Sequence, residues 1–333
     1  MLSIYLLIVF IVAFFLINIL IKCSSFLNLL DVPNERSMHN VQKSRAGGIA
    51  IFSSFIIGVF LLNMEIDFYI IFSFCLVFVL GIYDDIFGTS TKIKFFWLII
   101  ASILLYFGNI YIGHLGTFAG YVIILPPLVA LVFSIFAIVG FVNAMNLIDG
   151  IDGLSSGVAV IILLSYAYLG FKYNDIFLFY LSCILITSLI AFLFYNWYPS
   201  KLFMGDSGSL TLGFVIAVLS IHSVQMEYIT AVTVLLLCAV PILDTLIVMI
   251  RRMRRGKNPF HPDKSHIHHI LLKQHRNNVP KTTKILILLQ IVFVYIGLGF
   301  KVRDDIIILV LFIILFILFY FILDASQKKF IKI

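Results

Sequence analysis

The chain has 333 residues, of which 62% are hydrophobic and only 12% are charged. A soluble domain is typically about half apolar and about a quarter charged, so this composition excludes an ordinary soluble fold. Apolar runs approaching the roughly 20 residues that a membrane-crossing helix needs recur along the whole length. The sequence therefore predicts an all-α integral membrane protein.

In chain order, the apolar runs predict about eleven membrane-spanning helices in a single domain covering residues 1–333. The second run is short, and the stretch 108–125 is ambiguous, a small hairpin at the membrane surface being one interpretation. The predicted spans are 2–21, 47–62, 68–83, 95–111, 126–144, 154–171, 176–195, 209–224, 228–250, 283–300 and 306–323.

The basic residues predict the orientation of these spans. With eleven spans the connecting segments alternate between two sides, and 20 of the 23 Lys and Arg residues fall on one of them. Since cytoplasmic loops carry such an excess, we expect the N-terminus outside and the C-terminus in the cytoplasm, in a plasma (inner) membrane. The net charge of +7 reflects the same bias, so we predict no nucleic-acid partner. The predicted cytoplasmic loops are 22–46, 84–94, 145–153, 196–208 and 251–284.

Four polar residues follow one another at intervals of three in the stretch NAMNLIDGIDGL: Asn143, Asn146, Asp149 and Asp152. This spacing keeps side chains on one helical face, so Asn143, Asn146 and Asp149 are expected to converge on one pocket. Glycines at 150 and 153 then end the helix and let a ligand approach the backbone. Such oxygen ligands suit Mg²⁺, whereas the alternative is a polar turn between two spans.

Asp84 and Asp85 end the third span in the stretch YDDIFG. Adjacent residues on a helix point about 100° apart, so the two carboxylates cannot aim at one atom. We expect them to divide two tasks, proton acceptor and charge or hydrogen-bond organiser, or else to form a solvated helix end. Lys94 follows and either binds phosphate or extends to lipid headgroups.

The stretch MGDSGSLTLGF begins the eighth span. Asp206, Ser207 or Ser209 is expected to cap this helix, and a helix N-terminus is also a favourable site for anions. A carboxylate at Asp206, beside phosphates, is equally suited to binding a metal ion.

Within the predicted cytoplasmic loop 251–284, the stretch 251–272 carries four of the eight histidines, at positions 261, 266, 268 and 269. In a helix, His266 and His269 would share a face and His268 would point away. A zinc site and a cluster that contacts a pyrophosphate are both open interpretations. Asp244, in the stretch PILDT inside the ninth span, is expected to form a structural pair with a basic or hydroxyl neighbour.

These segments, in this order and on one predicted membrane face, resemble the polyprenyl-phosphate N-acetylhexosamine-1-phosphate transferases. The sequence HIHH after HPDKS is similar to the branch that uses UDP-N-acetylglucosamine, and the chain lacks the histidine triplet usual in the peptidoglycan translocases. Ser44 in KSRAGG departs from the family, which commonly has proline at this place. The motifs that carry the resemblance are DVPNERSMH, AGGIAIF, YDDIFG, NAMNLIDGIDGL, MGDSGSLTLGF, PILDT and HPDKSHIHH.

The resemblance implies a reaction. An oxygen of a polyprenyl (undecaprenyl) phosphate attacks the β-phosphorus of a UDP-amino sugar, which releases UMP and leaves a lipid-linked sugar that starts a cell-envelope polysaccharide such as O-antigen. It also implies a Mg²⁺ cofactor, with Mn²⁺ as an alternative, since two anionic substrates must be brought together. A lipid bilayer is the implied environment, and a homodimer is left open.

The resemblance also assigns roles by motif. Asp206 and Asn146 would hold the metal, and Asp84 would act as base or orient the lipid phosphate. The further implied catalytic residues are Asp85, Asp149 and His266. The implied substrate contacts are Asn143, Lys94, His268, His269 and Arg45, together with Asp152 at the uridine end.

Three alternatives remain beside this function. The donor could be another UDP-N-acetyl amino sugar or UDP-MurNAc-pentapeptide. A secondary transporter also has many spans and intramembrane carboxylates, but its substrate site lies near the bilayer midplane, often between inverted repeats. A lipid-binding or scaffolding protein would not need aspartates and histidines at these spacings.

Overall fold

The computed structural model describes residues 2–31, 42–256, 266–299 and 305–331. This part of the chain is mainly helical, with β1 paired antiparallel to β2 and β3 to β4. The strands are β1 (Leu30–Asp31), β2 (Lys43–Ser44), β3 (His114–Phe118) and β4 (Tyr121–Ile124). The helices are α1 (Leu2–Cys23), α2 (Gly47–Leu61), α3 (Phe68–Phe87), α4 (Thr91–Phe107), α5 (Pro127–Ile148), α6 (Leu154–Tyr173), α7 (Ile176–Asn196), α8 (Gly205–Gln225), α9 (Ala231–Leu237), α10 (Ala239–Arg254), α11 (Ile267–Gln274), α12 (Val279–Gly299) and α13 (Asp305–Ile331).

Among the described residues, eight helices are long and apolar enough to cross a membrane, and α9 with α10 adds a ninth if the bent pair is one span. The predicted class of all-α membrane protein is thereby confirmed. The two other predicted spans correspond to α2 and α4, which are helical but have only 15 and 17 residues. The count of eleven and the orientation stay predictions.

Helix α8 lies at the centre of the bundle, and every residue from Ser207 to Val224 is buried. Its small residues let neighbouring helices approach closely, as is common in membrane proteins. Gly48 of α2 packs against the backbone of Gly208, and Gly81 of α3 packs against the backbone of Ser207. A Cβ atom at either glycine would overlap that backbone, so these glycines bring α2 and α3 to the start of α8.

Helices α9 and α10 meet at a bend of 90°. The buried side chain of Gln290, from α12, satisfies the backbone at this bend. Its amide nitrogen donates to the Leu237 carbonyl at 2.6 Å, and its oxygen accepts from the Val240 N–H at 3.1 Å. Because a broken membrane helix needs such partners, Gln290 stabilises the bend that directs α10 away from α9.

The predicted hairpin within 108–125 is confirmed as the pair β3 and β4. It is fixed by Asp305, the first residue of α13, whose carboxylate accepts hydrogen bonds from the Thr117 N–H at 2.6 Å and the Thr230 hydroxyl at 2.5 Å. This contact joins the hairpin, the start of α9 and the start of α13.

Candidate functional site

The site begins where the end of α3 meets the start of α8. Asp85 accepts hydrogen bonds from the backbone N–H groups of Asp206 and Ser207, at 2.7 and 2.9 Å. No side chain of α8 itself makes this cap. The prediction that Asp206, Ser207 or Ser209 caps the helix is therefore wrong. The reason is the close approach at Gly81, which brings the Asp85 carboxylate to the free amides.

Because Asp85 provides the cap, the Asp206 side chain is left for other contacts. Lys94 forms ion pairs with both Asp206 and Asp84, the second at 2.5 Å. Asp84 also accepts hydrogen bonds from the backbone N–H of Thr89, at 2.6 Å, and from its hydroxyl. The two adjacent aspartates thus have different positions, since Asp84 faces Lys94 and Asp85 faces the α8 backbone. Their tasks in a reaction stay a prediction.

Helix α5 adds an amide to this junction. The Asn146 Nδ2 atom lies 2.9 Å from Asp206 Oδ1 and 2.8 Å from Ser209 Oγ. Asn143, one turn earlier, is half-buried. Helix α5 ends at Ile148, and α6 begins after Gly153, which has a φ of +75°. The spacing of three thus brings Asn146 to Asp206, but the helix ends before it reaches the next two aspartates.

Asp149 follows directly after the last helical residue of α5. Burial first, and then the neighbouring carboxylates of Asp206, Asp85 and Asp152, together raise the pKa of its carboxyl to about 7. Part of this rise reflects the acids that surround Asp149, because like charges disfavour ionisation. Lys94 alone does not balance this group of acids.

The donor atoms fit a hard divalent cation, since carboxylate and amide oxygens are the ligands that Mg²⁺ prefers. Within the described ranges, no three His, Cys, Asp or Glu side chains converge as a ready metal cluster. A site here would therefore combine the Asp206 carboxylate with the Asn146 amide oxygen, as the motif resemblance implies. The Asn146 nitrogen faces Asp206, and rotating the amide by 180° would present its oxygen to a cation instead.

Asp152, in the α5–α6 turn, lies on a second wall of the site, the first wall being the junction of α3, α5 and α8. Its carboxylate accepts a hydrogen bond from the Ser200 N–H at 2.9 Å and lies 4.0 Å from the Lys43 ammonium. Lys43 donates to the Ser200 hydroxyl at 2.9 Å and stacks over the Phe203 ring at 4.8 Å. Sequence reasoning missed Lys43, although its place next to the AGG motif was a signal. Asp152 is thus fixed to the segment between α7 and α8.

Asn196, also missed from the sequence, connects these walls. Its oxygen accepts from the Gly153 N–H at 3.0 Å, and its nitrogen donates to the Leu202 carbonyl at 2.9 Å. Because Asn196 is buried, these bonds fix the α5–α6 turn to the segment that precedes α8.

Three histidines of the predicted cluster, His266, His268 and His269, form a row of adjacent rings. The ring centroids of His266 and His268 are 5.7 Å apart, and those of His268 and His269 are 4.3 Å apart. The prediction that His268 points away from the other two is wrong, because α11 begins at Ile267 and His266 precedes it. His261 lies outside the described residues.

His268 is buried, and its Nε2 atom lies against Gly150 in the α5–α6 turn. Burial first, and then the neighbouring His269, lower the pKa of its imidazole to about 3, so the ring is neutral at neutral pH. The row of histidines therefore meets the α5–α6 turn through His268, at the residue that follows Asp149. His266 pairs through Nδ1 with Asp244 at 2.9 Å, which confirms the predicted pairing of Asp244 with a basic neighbour.

Arg45 is placed at the edge of the junction. Its side chain forms an ion pair with Asp31, and its carbonyl lies against Gly205, the first residue of α8. The sequence after Asp31 that continues the motif DVPNERSMH lies outside the described residues. The contact of Arg45 with a substrate stays a prediction.

Residues 67–224 match the model of glycosyl transferase family 4. The undecaprenyl-phosphate alpha-N-acetylglucosaminyl 1-phosphate transferase of Pasteurella multocida (strain Pm70) is 34% identical over 279 residues, which cover 80% of this chain and 78% of that protein. The chain belongs to glycosyl transferase family 4. The family predicted from the motifs is thereby confirmed.

Two further relatives of this family 4 chain are similar over most of its length. The probable undecaprenyl-phosphate N-acetylglucosaminyl 1-phosphate transferase of Bacillus subtilis (strain 168) is 33% identical over 259 residues, covering 73% of this chain and 69% of that protein. The enzyme of Haemophilus influenzae with the same name as the Pasteurella relative is 31% identical over 284 residues, covering 82% and 79%. The region matched by the family model includes Asp84, Asn146 and Asp206, whereas the histidine row lies beyond it.

Proposed function

We propose that this chain transfers N-acetylglucosamine 1-phosphate from UDP-N-acetylglucosamine to undecaprenyl phosphate and releases UMP. The observation that carries the proposal is the junction of α3, α5 and α8, where Asp84 and Asp206 share the Lys94 ammonium beside Asn146. The names of the relatives, which are 31–34% identical, specify the sugar and the lipid. The family 4 match supports the reaction class.

The geometry is suited to phosphoryl transfer because such reactions depend mainly on positioning and on neutralising charge. Both substrates are anionic, so they repel each other unless positive groups lie between them. Lys94 is one such group, and it approaches from the start of α4. The carboxylates that now bind Lys94 also provide a place for a second, divalent cation.

In this proposal Asp206 and Asn146 hold Mg²⁺, or Mn²⁺ in its place, with Asp149 next to them. The ion would neutralise the pyrophosphate of the donor. Lys94 pairs with both Asp84 and Asp206, and its ammonium is the group that we assign to a substrate phosphate. Asp85 acts indirectly, since its two hydrogen bonds fix the first turn of α8 and with it Asp206.

Asp84 faces the lipid substrate in this scheme. It accepts or orients the proton of the lipid phosphate, whose oxygen then forms a bond to the β-phosphorus while the bond to UMP breaks. Asp152 and Lys43 lie on the wall that we assign to the uridine end. The histidine row and Arg45 complete the contacts to the donor, with Asn143 one turn behind Asn146.

The proposed orientation places this site at the cytoplasmic face of a plasma membrane, with α2, α4 and the bent pair α9–α10 completing eleven spans. The basic loops then lie on the side where nucleotide sugars are found. The product is the lipid-linked sugar that starts a cell-envelope polysaccharide, such as O-antigen.

The proposal is tested with the purified protein, undecaprenyl phosphate, Mg²⁺ and a panel of labelled UDP-N-acetyl sugars that includes UDP-MurNAc-pentapeptide. We expect labelled lipid from UDP-N-acetylglucosamine at the highest kcat/KM and no turnover in EDTA. A higher kcat/KM with another donor would correct the sugar, and no lipid product with any donor would contradict the function.

A further inference from the structure

Asp244 is a buried carboxylate in α10, only 1% exposed, and both of its oxygens are engaged. Oδ2 lies 2.9 Å from the Nδ1 atom of His266, and Oδ1 accepts a hydrogen bond from the Ile267 N–H at 2.7 Å. His266 is itself 5% exposed. One carboxylate thus holds a histidine ring and caps the first turn of α11.

The position of Asp244 depends on the bend between α9 and α10. Gln290 stabilises this bend through its two hydrogen bonds to the backbone around Cys238. Because α10 departs at 90° from α9, the carboxylate of Asp244 meets the start of α11, which follows α10 in the chain. The bend, Asp244 and α11 are therefore coupled by direct contacts.

The pair with Asp244 determines how His266 can act. A carboxylate that accepts from Nδ1–H fixes the ring orientation and the tautomer, and leaves Nε2 for another partner. The ring of His266 also stacks on His268, with 14° between the planes. Because His268 packs against Gly150, the orientation of His266 is transmitted to the turn that carries Asp149.

We infer that Asp244 is a positioning residue for the nucleotide-sugar donor, because it fixes His266 and the start of α11 so that the histidine row is held against the α5–α6 turn. Asp244 acts through His266 and does not itself contact the substrates. The inference rests on the proposed transferase function, and it adds a residue that the sequence had assigned only to a structural pair.

The chain contains a matched control at the other end of the bundle. Asp175 performs the same two tasks, since one oxygen lies 2.7 Å from His222 Nε2 and the other accepts from the Leu178 N–H at 2.8 Å. His222 lies 16 residues after Asp206 in α8, which corresponds to about 24 Å along the helix at 1.5 Å per residue. Loss of a carboxylate–histidine pair can therefore be compared near the site and far from it.

The experiment compares Asp244→Asn, Asp175→Asn and His266→Gln with the wild-type protein in one detergent. Thermal unfolding is measured first, followed by KM and kcat for each substrate and by the affinity for UDP-N-acetylglucosamine from calorimetry. We expect Asp244→Asn to raise the donor KM about tenfold or more, which is the scale typical of removing a partner that orients a metal-binding histidine. The KM for undecaprenyl phosphate should change less than about twofold, and Asp175→Asn should leave both KM values within that range.

A double-mutant cycle separates positioning from general damage. If Asp244 acts through His266, the double variant Asp244→Asn/His266→Gln should be within about twofold of His266→Gln alone, because coupled residues are not additive. The inference would be overturned if the double variant lost as much as the product of the two single losses. It would also be overturned if a folded Asp244→Asn variant had an unchanged donor KM. If Asp244→Asn does not fold, His266→Gln decides: an unchanged donor affinity overturns the inference, and a loss of about tenfold or more supports it.

Failure of the proposed function is distinguishable from failure of this inference. A wild-type protein that yields neither lipid product nor UMP contradicts the function. A wild-type protein that turns over normally, with an equally active Asp244→Asn variant, contradicts only the role of Asp244.

Discussion

The two ends of the bundle differ in how completely their buried acids are paired. At the end away from the site, Asp175 has three donors, from His222, Tyr228 and the Leu178 N–H. Although burial raises the pKa of Asp175, these donors, first among them His222, lower it below its usual value overall. At this end of the bundle the buried carboxylate of Asp175 therefore has a full set of hydrogen-bond partners.

At the other end, Asp84 and Asp206 share one lysine, and Asp149 has a pKa raised to about 7 by burial and by the acids around it. Natural proteins usually pair or hydrogen-bond such groups, and exceptions concentrate at functional sites. The difference indicates that the first end is built for stability. The end that carries Asp84, Asp149 and Asp206 keeps an excess of negative charge. Additional cations, such as a metal ion that binds alone or together with a substrate, would balance that charge.

The largest effect on activity is expected from removing the Asp206 carboxylate. Asp206 lies at the end of the bundle that carries the excess negative charge, which we call the charged end. Asp206→Ala should lower kcat/KM by about a thousandfold or more, since electrostatic groups of this kind contribute on that scale. Asp175→Asn, the equivalent loss at the other end, should stay within about twofold. UMP release measures both, and equal losses in the two variants would show that the ends do not differ in function.

The adjacent pair on α3 should separate activity from stability. Asp84→Asn is expected to lower kcat by about a hundredfold or more while thermal unfolding changes little, because its neighbour still caps α8. Asp85→Asn should lower the free energy of unfolding by about 1–3 kcal/mol as well, since a buried amide of α8 loses its acceptor. Kinetics and thermal unfolding of both variants check this, and identical behaviour would contradict the division of tasks.

The Lys94→Met variant tests whether the charged end needs a cation for its stability when no substrate is bound. Lys94→Met removes the ammonium that Asp84 and Asp206 share, so repulsion between them should lower the thermal midpoint in EDTA. Added Mg²⁺ should then raise the midpoint by more than it does in the wild-type protein. An equal Mg²⁺ effect in both proteins would argue against a metal at these carboxylates.

The smallest effect concerns pH. His268 has a pKa of about 3 in the folded protein, against about 6.5 for an exposed histidine. Between these values the unfolded chain binds a proton that the folded protein does not, so this contribution to stability is complete above pH 6.5 and falls as the pH drops toward 3. In His268→Gln the thermal midpoint should decline less steeply over that window, and an unchanged slope would contradict a neutral buried His268.

The sequence predicted those features that depend on local spacing and composition. The interval of three in α5 placed Asn146 at the site, the pair at the end of α3 separated as adjacent residues must, and the hairpin near 114–124 was one of its interpretations. Features set by packing were not predictable. The Asp85 cap depends on the close approach of α3 to α8 at Gly81, and the bend before α10 depends on Gln290, about fifty residues later.

The histidine row shows the same limit. The prediction from helical periodicity placed His266 inside a helix. In the structure, Asp244 holds His266 just before the first turn of α11. A partner distant in sequence thus decided where the helix begins. Asn196 and Lys43 were missed for a related reason, since their importance follows from contacts between separate segments.

The most direct test of the central claim follows the phosphorus atom. UDP-N-acetylglucosamine labelled with ³²P at the β-phosphorus is incubated with undecaprenyl phosphate, Mg²⁺ and the purified protein. The proposed reaction predicts that the label enters the organic phase with the lipid, with one UMP released for each lipid formed. Release of UDP with the label left in water would show transfer of the sugar alone and would contradict the account.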